Sequence, residues 1–182
     1  MMSLRAAIVA SIFSATLSFA ANLPRNPNVV VCEPNAGCIH HTIFGHDYKV
    51  LSTDRLSVMV FLTTEGRYTR ADLSITNLTA TPINLSPEDF HIQALTSRSK
   101  IFLHVPPSQV ENLAALNRAN ADADINEPDT ANPHLTAITI PPNQSVHGRV
   151  YFERDLNATA QQVHVVLPIA GTIFKFPDVI KP

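Results

Sequence analysis

The sequence predicts a mainly β protein, an antiparallel sandwich with one inserted helix. From position 56 onward, apolar and polar residues alternate over short runs, the period of a half-buried strand. Eight or nine such runs follow one another at short spacing with turn-forming residues between them, as in sandwich folds. Fourteen prolines against five glycines point the same way, because proline is excluded from helix interiors and central strands and stiffens the joints between short elements.

The chain opens with a leader pattern. Arg5 stands ahead of an apolar run over residues 6–19, which ends in Ser18, Phe19 and Ala20, with small residues at the two positions a signal peptidase inspects. A run of about fourteen apolar residues is short for a bilayer span, where roughly twenty are needed. Residues 1–20 therefore read as a cleaved secretory signal, and the first cysteine, Cys32, lies too far downstream to carry a lipid anchor. The expected address is secreted or periplasmic, with no stable membrane insertion after cleavage. Residues 21–47 read as an N-terminal arm. There Pro34 and Asn35 suit the centre of a β-turn and Gly37 relieves strain as the chain doubles back. Two cysteines flanking such a turn in an exported chain predict a Cys32–Cys38 disulfide hairpin.

Residues 48–182 carry the sandwich. Leu56, Val58, Val60 and Leu62 alternate with Ser57, Met59 and Phe61, apolar enough on both faces for a central strand. A turn at Gly66, which supplies positive φ, leads to Leu73 and Ile75 alternating with Asp72, Ser74 and Thr76. After a bend at Pro82, Ile83 to Leu85 form a short strand. Ser86, Pro87, Glu88 and Asp89 read as one helical turn, serine capping it and proline at its first position. Phe90, Ile92 and Ala94 make the next inward set. Ile101, Leu103 and Val105 make another, against Phe102 and His104. Ser108 and Glu111 form a capping-box pair that starts a helix over residues 108–121, with Val110, Leu113 and Ala114 on one face. Together with the Ala-, Asp- and Asn-rich stretch to His134, read as a mobile loop, it forms an insertion at about 106–134. Four further runs complete the set. Ile138 and Ile140 make the first, Val146, Gly148, Val150 and Phe152 the second, Val163, Val165 and Leu167 the third, and Phe174 and Phe176 the last.

Two stretches carry a family likeness. One runs Ala71-Asp72-Leu73-Ser74-Ile75-Thr76-Asn77 and then Pro82-Ile83-Asn84-Leu85-Ser86-Pro87-Glu88-Asp89-Phe90, a strand ending in an Asn-bearing turn before a Pro-x-x-Phe turn. The other is Ile140-Pro141-Pro142-Asn143-Gln144-Ser145-Val146-His147-Gly148-Arg149-Val150-Tyr151-Phe152-Glu153, a Pro-bearing turn before a Gly-x-Val-x-Phe strand. Over roughly residues 56–176 the chain resembles exported bacterial immunoglobulin-like domains of unknown function. The resemblance implies an immunoglobulin-like β-sandwich and an exported address, and it carries no catalytic residues.

Composition narrows the function classes. Loss of Arg5 with the leader leaves twelve basic against fifteen acidic residues, so the mature charge is near −3 and offers no attraction to nucleic acid or an anionic surface. The absence of tryptophan argues against a face that stacks sugars. No Gly-x-Ser-x-Gly elbow, His-Glu-x-x-His, P-loop or dinucleotide fingerprint occurs. The candidate ligand cluster is His40, His41 and His46 beside the two cysteines, imidazoles suited to zinc or copper although their spacing matches no established zinc pattern. His91, His104, His147 and His164 fall opposite the apolar sets, and Asn-x-Ser/Thr sequons begin at Asn77, Asn84, Asn143 and Asn157. The reading is a non-enzymatic, cofactor-free envelope or extracellular binding or accessory module that acts through loops and sheet edges on an unidentified protein or envelope partner. The alternative is a periplasmic copper or zinc protein that uses the three clustered histidines.

Overall fold

The alternating runs become strands, and all but two of the strands described pair into one curled sheet. The computed structural model describes residues 28–34, 37–95, 100–110, 133–154 and 161–180. The leader at 1–20, and the part of the insertion at 111–132, lie outside these residues. Among the described residues twelve strands follow in chain order: β1 Asn28–Val31, β2 Cys38–Ile43, β3 His46–Ser52, β4 Leu56–Glu65, β5 Tyr68–Asn77, β6 Ile83–Leu85, β7 His91–Ala94, β8 Lys100–Val105, β9 Ile138–Ile140, β10 Ser145–Glu153, β11 Gln161–Ile169 and β12 Thr172–Ile180.

Ten of them form a mixed sheet in the order β1-β12-β11-β7-β8-β10-β5-β4-β3-β2, and β6 pairs with β9 in a separate ribbon. The curl is made at β8. Its first residues pair with β7, from Lys100 opposite Ala94 to Leu103 opposite His91, and its last two, His104 and Val105, pair with Phe152 and Tyr151 of β10. Val58, Val60, Leu73, Ile75, Val150 and Phe152 from one half thereby meet Ile92, Val163, Val165, Leu167, Phe174 and Phe176 from the other in a single buried cluster. This interior supplies the hydrophobic driving force, roughly 25 cal/mol per Å² of apolar surface removed from water.

The two ends of the strand order, β1 and β2, are consecutive in sequence and joined by a disulfide between Cys32 and Cys38, whose Cα atoms lie 4.8 Å apart. Cys32 extends the β1 ladder by donating its N–H to the Lys175 carbonyl at 2.8 Å and is itself buried in the core. The bridge is therefore not the staple of a hairpin, since β1 and β2 do not pair. It ties one edge of the curled sheet to the other. A second tie crosses the same opening, where Lys49 of β3 meets Asp178 of β12 at 2.8 Å and donates to the Pro177 carbonyl.

Four expectations need correction. The sheet is not wholly antiparallel, because β1 runs parallel to β12, Asn28 opposite Thr172 through Val31 opposite Lys175. Among the described residues no α-helix occurs, and residues 111–121 of the predicted one lie outside them. At the start of the predicted one, Pro107–Gln109 form a 3-10 turn, Ser108 lies inside that turn rather than capping it, and Val110 is extended. The inward set of β8 is also reversed. Phe102 stands opposite Ile92 and is buried, while Ile101 and Leu103 are exposed. Apolar residues at both parities hid this choice, which the register with β7 makes. The turn at Pro87–Asp89 does form with proline leading it, but Ser86 makes no side-chain cap.

Two residues show why particular types are needed. A Cβ on Gly148 would sit 2.9 Å from the Pro133 carbonyl and 3.0 Å from Leu135, so glycine lets residues 133–135 run against β10. Asn77, fully buried, shares its amide hydrogens among the carbonyls of Thr81, Ile140 and Pro141 and accepts from the N–H and hydroxyl of Thr79. It fastens the turn after β5 to the end of β9.

Replacing both Cys32 and Cys38 by serine is expected to lower stability by about 2 kcal/mol, the chain-entropy value for so short a loop. A urea titration checks this through a lower midpoint at unchanged slope.

Candidate functional site

The hairpin of β2 and β3 carries the clustered histidines. Its loop is the two-residue turn Phe44 and Gly45, with φ of 51° and 81°, the left-handed pair of a type I′ turn. Directly opposite residues share a face, and Cys38 faces the fully buried Leu51, so Cys38, His40, Thr42, Asp47 and Lys49 have the inward parity. Ile39, His41, Ile43, His46, Tyr48 and Val50 have the outward one. His41 and His46 thus share the outer face as diagonal neighbours, and His40 falls on the opposite side across from Lys49. The His46 ring packs on Phe61 of β4 at 4.5 Å. His40 and His46 both border a cleft of about 540 Å³ between this hairpin, Phe61 to Thr64 and the end of β12. Among the described residues no group of three or more His, Cys, Asp or Glu side chains is arranged to hold a metal ion.

A second cluster lies on the outer face of β4, β5 and β10. Arg70 bonds Glu65 at 2.9 Å and Asp72 at 3.0 Å, and Arg149 approaches Asp72 at 3.3 Å. Arg70, Asp72 and Arg149 are all buried. Two basic and two acidic groups leave the cluster formally neutral. Burial holds the Asp72 carboxyl above its ordinary range despite the guanidiniums of Arg70 and Arg149. Burial also opposes the charge of Arg70, but Asp72 and Glu65 outweigh it and hold its pKa above the ordinary value. The Tyr151 phenol, 3.5 Å from Glu65, is pushed up to about 12 by burial and then by Glu65, so it stays protonated.

Over this face lies an aromatic cover. Tyr68, Val105, Val110 and Tyr151 form a small apolar cluster, and the Tyr68 hydroxyl donates to the Gln109 carbonyl at 3.4 Å. His134 bridges to Arg149, stacks on Tyr151 at 5.5 Å and meets His104 edge-on at 5.7 Å. Burial and then the neighbouring His104 push His134 down to about 4, and burial lowers His104 as well. Both imidazoles are therefore neutral at pH 7. The arrangement ties three strands together and keeps its imidazoles uncharged in an apolar setting.

The remaining histidines are spread over several strands. His91 and His164 occupy the outer side of β7 and β11, His147 that of β10, and His104 the bend of β8. The buried charge cluster was absent from the sequence expectation because Arg70, Asp72 and Arg149 sit at the outward parity, where charged residues read as solvated. The one available signal was their common parity. Arg149 lies directly opposite Asp72 and Tyr151 opposite Arg70. Among the described residues no helix is long and apolar enough to cross a membrane.

No family model and no curated protein matches the chain. Among solved structures it is similar to the yjhA protein from Bacillus subtilis, at 8% identity over 72% of this chain and 94% of that one, with a TM-score of 0.42. A likeness of that size carries no argument about function.

Asp72→Asn leaves Arg149 buried without its anion and is expected to cost about 3–5 kcal/mol, read from denaturant unfolding. The pH dependence has a defined sign. An imidazole held at about 4 in the fold and near 6.5 when unfolded makes the unfolded state the stronger proton binder, so stability is lost as pH falls from about 6.5 to about 4. Asp72, with its pKa raised in the fold, works in the opposite sense. His134→Phe keeps the stack on Tyr151 and should flatten the acid limb of a stability-versus-pH curve relative to wild type.

Proposed function

We propose that this chain is an exported, immunoglobulin-like, non-enzymatic binding or accessory module that engages its partner through a sheet edge. Strand order supports the fold assignment. Taking β4, β5, β7, β8, β10, β11 and β12 as seven strands in sequence, the first pairs with the second, the second with the fifth and the fifth with the fourth. The third pairs with the sixth and the sixth with the seventh. Those are the neighbours of the two immunoglobulin sheets. The departure is β8, which also pairs with β7 and merges the halves. The disulfide supports export, since such bonds persist in oxidising compartments.

The observation that carries the binding reading is the hairpin tip. Phe44 is 58% exposed and holds φ of 51°, a conformation costly for a bulky side chain, at a position where asparagine would fit without strain. Ile39 and Ile43 are exposed on the same strand. An exposed aromatic kept in a strained turn on a covalently anchored hairpin serves contact better than it serves stability. The competing copper or zinc reading would use two or three of His40, His41 and His46, of which His41 and His46 have one parity and His40 the other.

Phe44→Asn separates the two roles. It should raise stability by about 1 kcal/mol through relief of the turn, while weakening capture of the partner from envelope extract about tenfold, the worth of one aromatic contact. Unchanged capture would remove the hairpin from the interface. A titration of wild type and of His40→Ala/His46→Ala with zinc or copper checks the alternative, which requires a stoichiometric site that the double variant loses.

A further inference from the structure

Resting on the binding reading above, the structure assigns the occupant of the β2 edge: we propose that it is the β2 strand of a second copy, paired antiparallel about a two-fold axis at His41. Among the described residues β2 has β3 as its single neighbour. An open edge is ordinarily protected by lysine, proline, a bulge or a covering segment. Cys38-Ile39-His40-His41-Thr42-Ile43 contains no lysine, proline or carboxylate, and its pairing with β3 runs without a bulge.

The hairpin geometry then restricts the register. Ile43 and His46 flank a two-residue type I′ turn, so they exchange backbone bonds with each other, and the pattern repeats every second residue. Residues 39, 41 and 43 thus direct their backbone groups to β3, while residues 38, 40 and 42 direct theirs away from it, the Cys38 N–H to the Glu33 carbonyl and those of His40 and Thr42 to the open edge. In a two-fold antiparallel pair, opposite residues must be of the same bonding type, so the axis passes through a residue rather than between two. Centring on His40 sets Ile39 against His41, and centring on Thr42 sets His41 against Ile43. Centring on His41 sets Ile39 against Ile43 of the second copy twice over and His41 against its own counterpart at a non-hydrogen-bonded pair. His40 and Thr42 then exchange four backbone bonds across the junction. The strand is self-complementary in this register, which satisfies the outward backbone groups and covers both exposed isoleucines together. It also carries the tip of each hairpin, with Phe44, toward the base of the other.

Sedimentation over a micromolar concentration series tests the assignment. Wild type should dimerise. Thr42→Pro, which removes an outward N–H at an edge position that tolerates proline, should sediment as a monomer with unchanged strand content, and Thr42→Ala should still dimerise. Ile39→Lys should abolish the dimer, and Ile39→Lys/Ile43→Glu, which sets each lysine against a glutamate of the other copy, should restore it. A wild type that stays monomeric overturns the assignment, as does a Thr42→Pro dimer or an unrescued double variant. So does a monomer that instead binds lipid vesicles through Phe44. A monomer that captures an envelope protein through a Thr42→Pro-sensitive edge overturns it while leaving the binding reading intact. A monomer that captures nothing removes both.

Discussion

The constraint on which this structure depends is the closure of a ten-stranded sheet whose two edge strands are neighbours in sequence. With β1 at one end of the order and β2 at the other, Cys32 and Cys38 stand on opposite lips of the curl. The Cys32–Cys38 bond joins the two lips, and the Lys49–Asp178 pair crosses the same opening from β3 to β12. Packing of the core follows from closure, because Cys32 and Leu51 complete the buried cluster where the lips approach. The parallel pairing of β1 with β12 follows too, since a strand that hands directly to β2 has to leave β12 at the closing end.

The second organising element is the neutral set of charges on the outer face of β4, β5 and β10. Buried ion pairs add little net stability over apolar packing, but each member makes its partners costly to leave alone. Glu65, Arg70, Asp72 and Arg149 therefore act as a register lock, because a slip of one residue along β10 would part Arg149 from Asp72. Neutral His104 and His134 beside them fit the same logic, since a third positive charge in that pocket would upset the balance.

Much of the fold was legible because period-two alternation is a local signal. Strands β4 to β12 stand close to where Leu56, Ile75, Ile92, Val150, Val165 and Phe174 placed them, and the disulfide follows from two cysteines and a turn. What escaped was set by distant partners. The parity of β8 depends on Ile92 across the ladder, since Ile101, Phe102 and Leu103 are all apolar. The solvated look of Arg70 and Asp72 fails because residues 105–110 and His134 lie over them, a fact written far along the chain. The hairpin of β2 and β3 was hidden by its own composition. Ile39, His40, His41, Thr42 and Ile43 show no clean alternation, so the strand and its place at the end of the sheet order were not visible in them.

Asn77 carries a consequence of a different kind. With Leu78 and Thr79 it spells a glycan acceptor, yet in the folded chain its amide hydrogens are committed to the carbonyls of Thr81, Ile140 and Pro141. Two of those carbonyls belong to residues made some sixty positions later, so during synthesis the acceptor exists before most of what will occupy it. A glycosylating secretory pathway and the folding pathway would compete for one nitrogen, and a sugar attached first would bar the ribbon of β6 and β9 from docking. The sequon thus restricts the hosts in which this chain can be made intact.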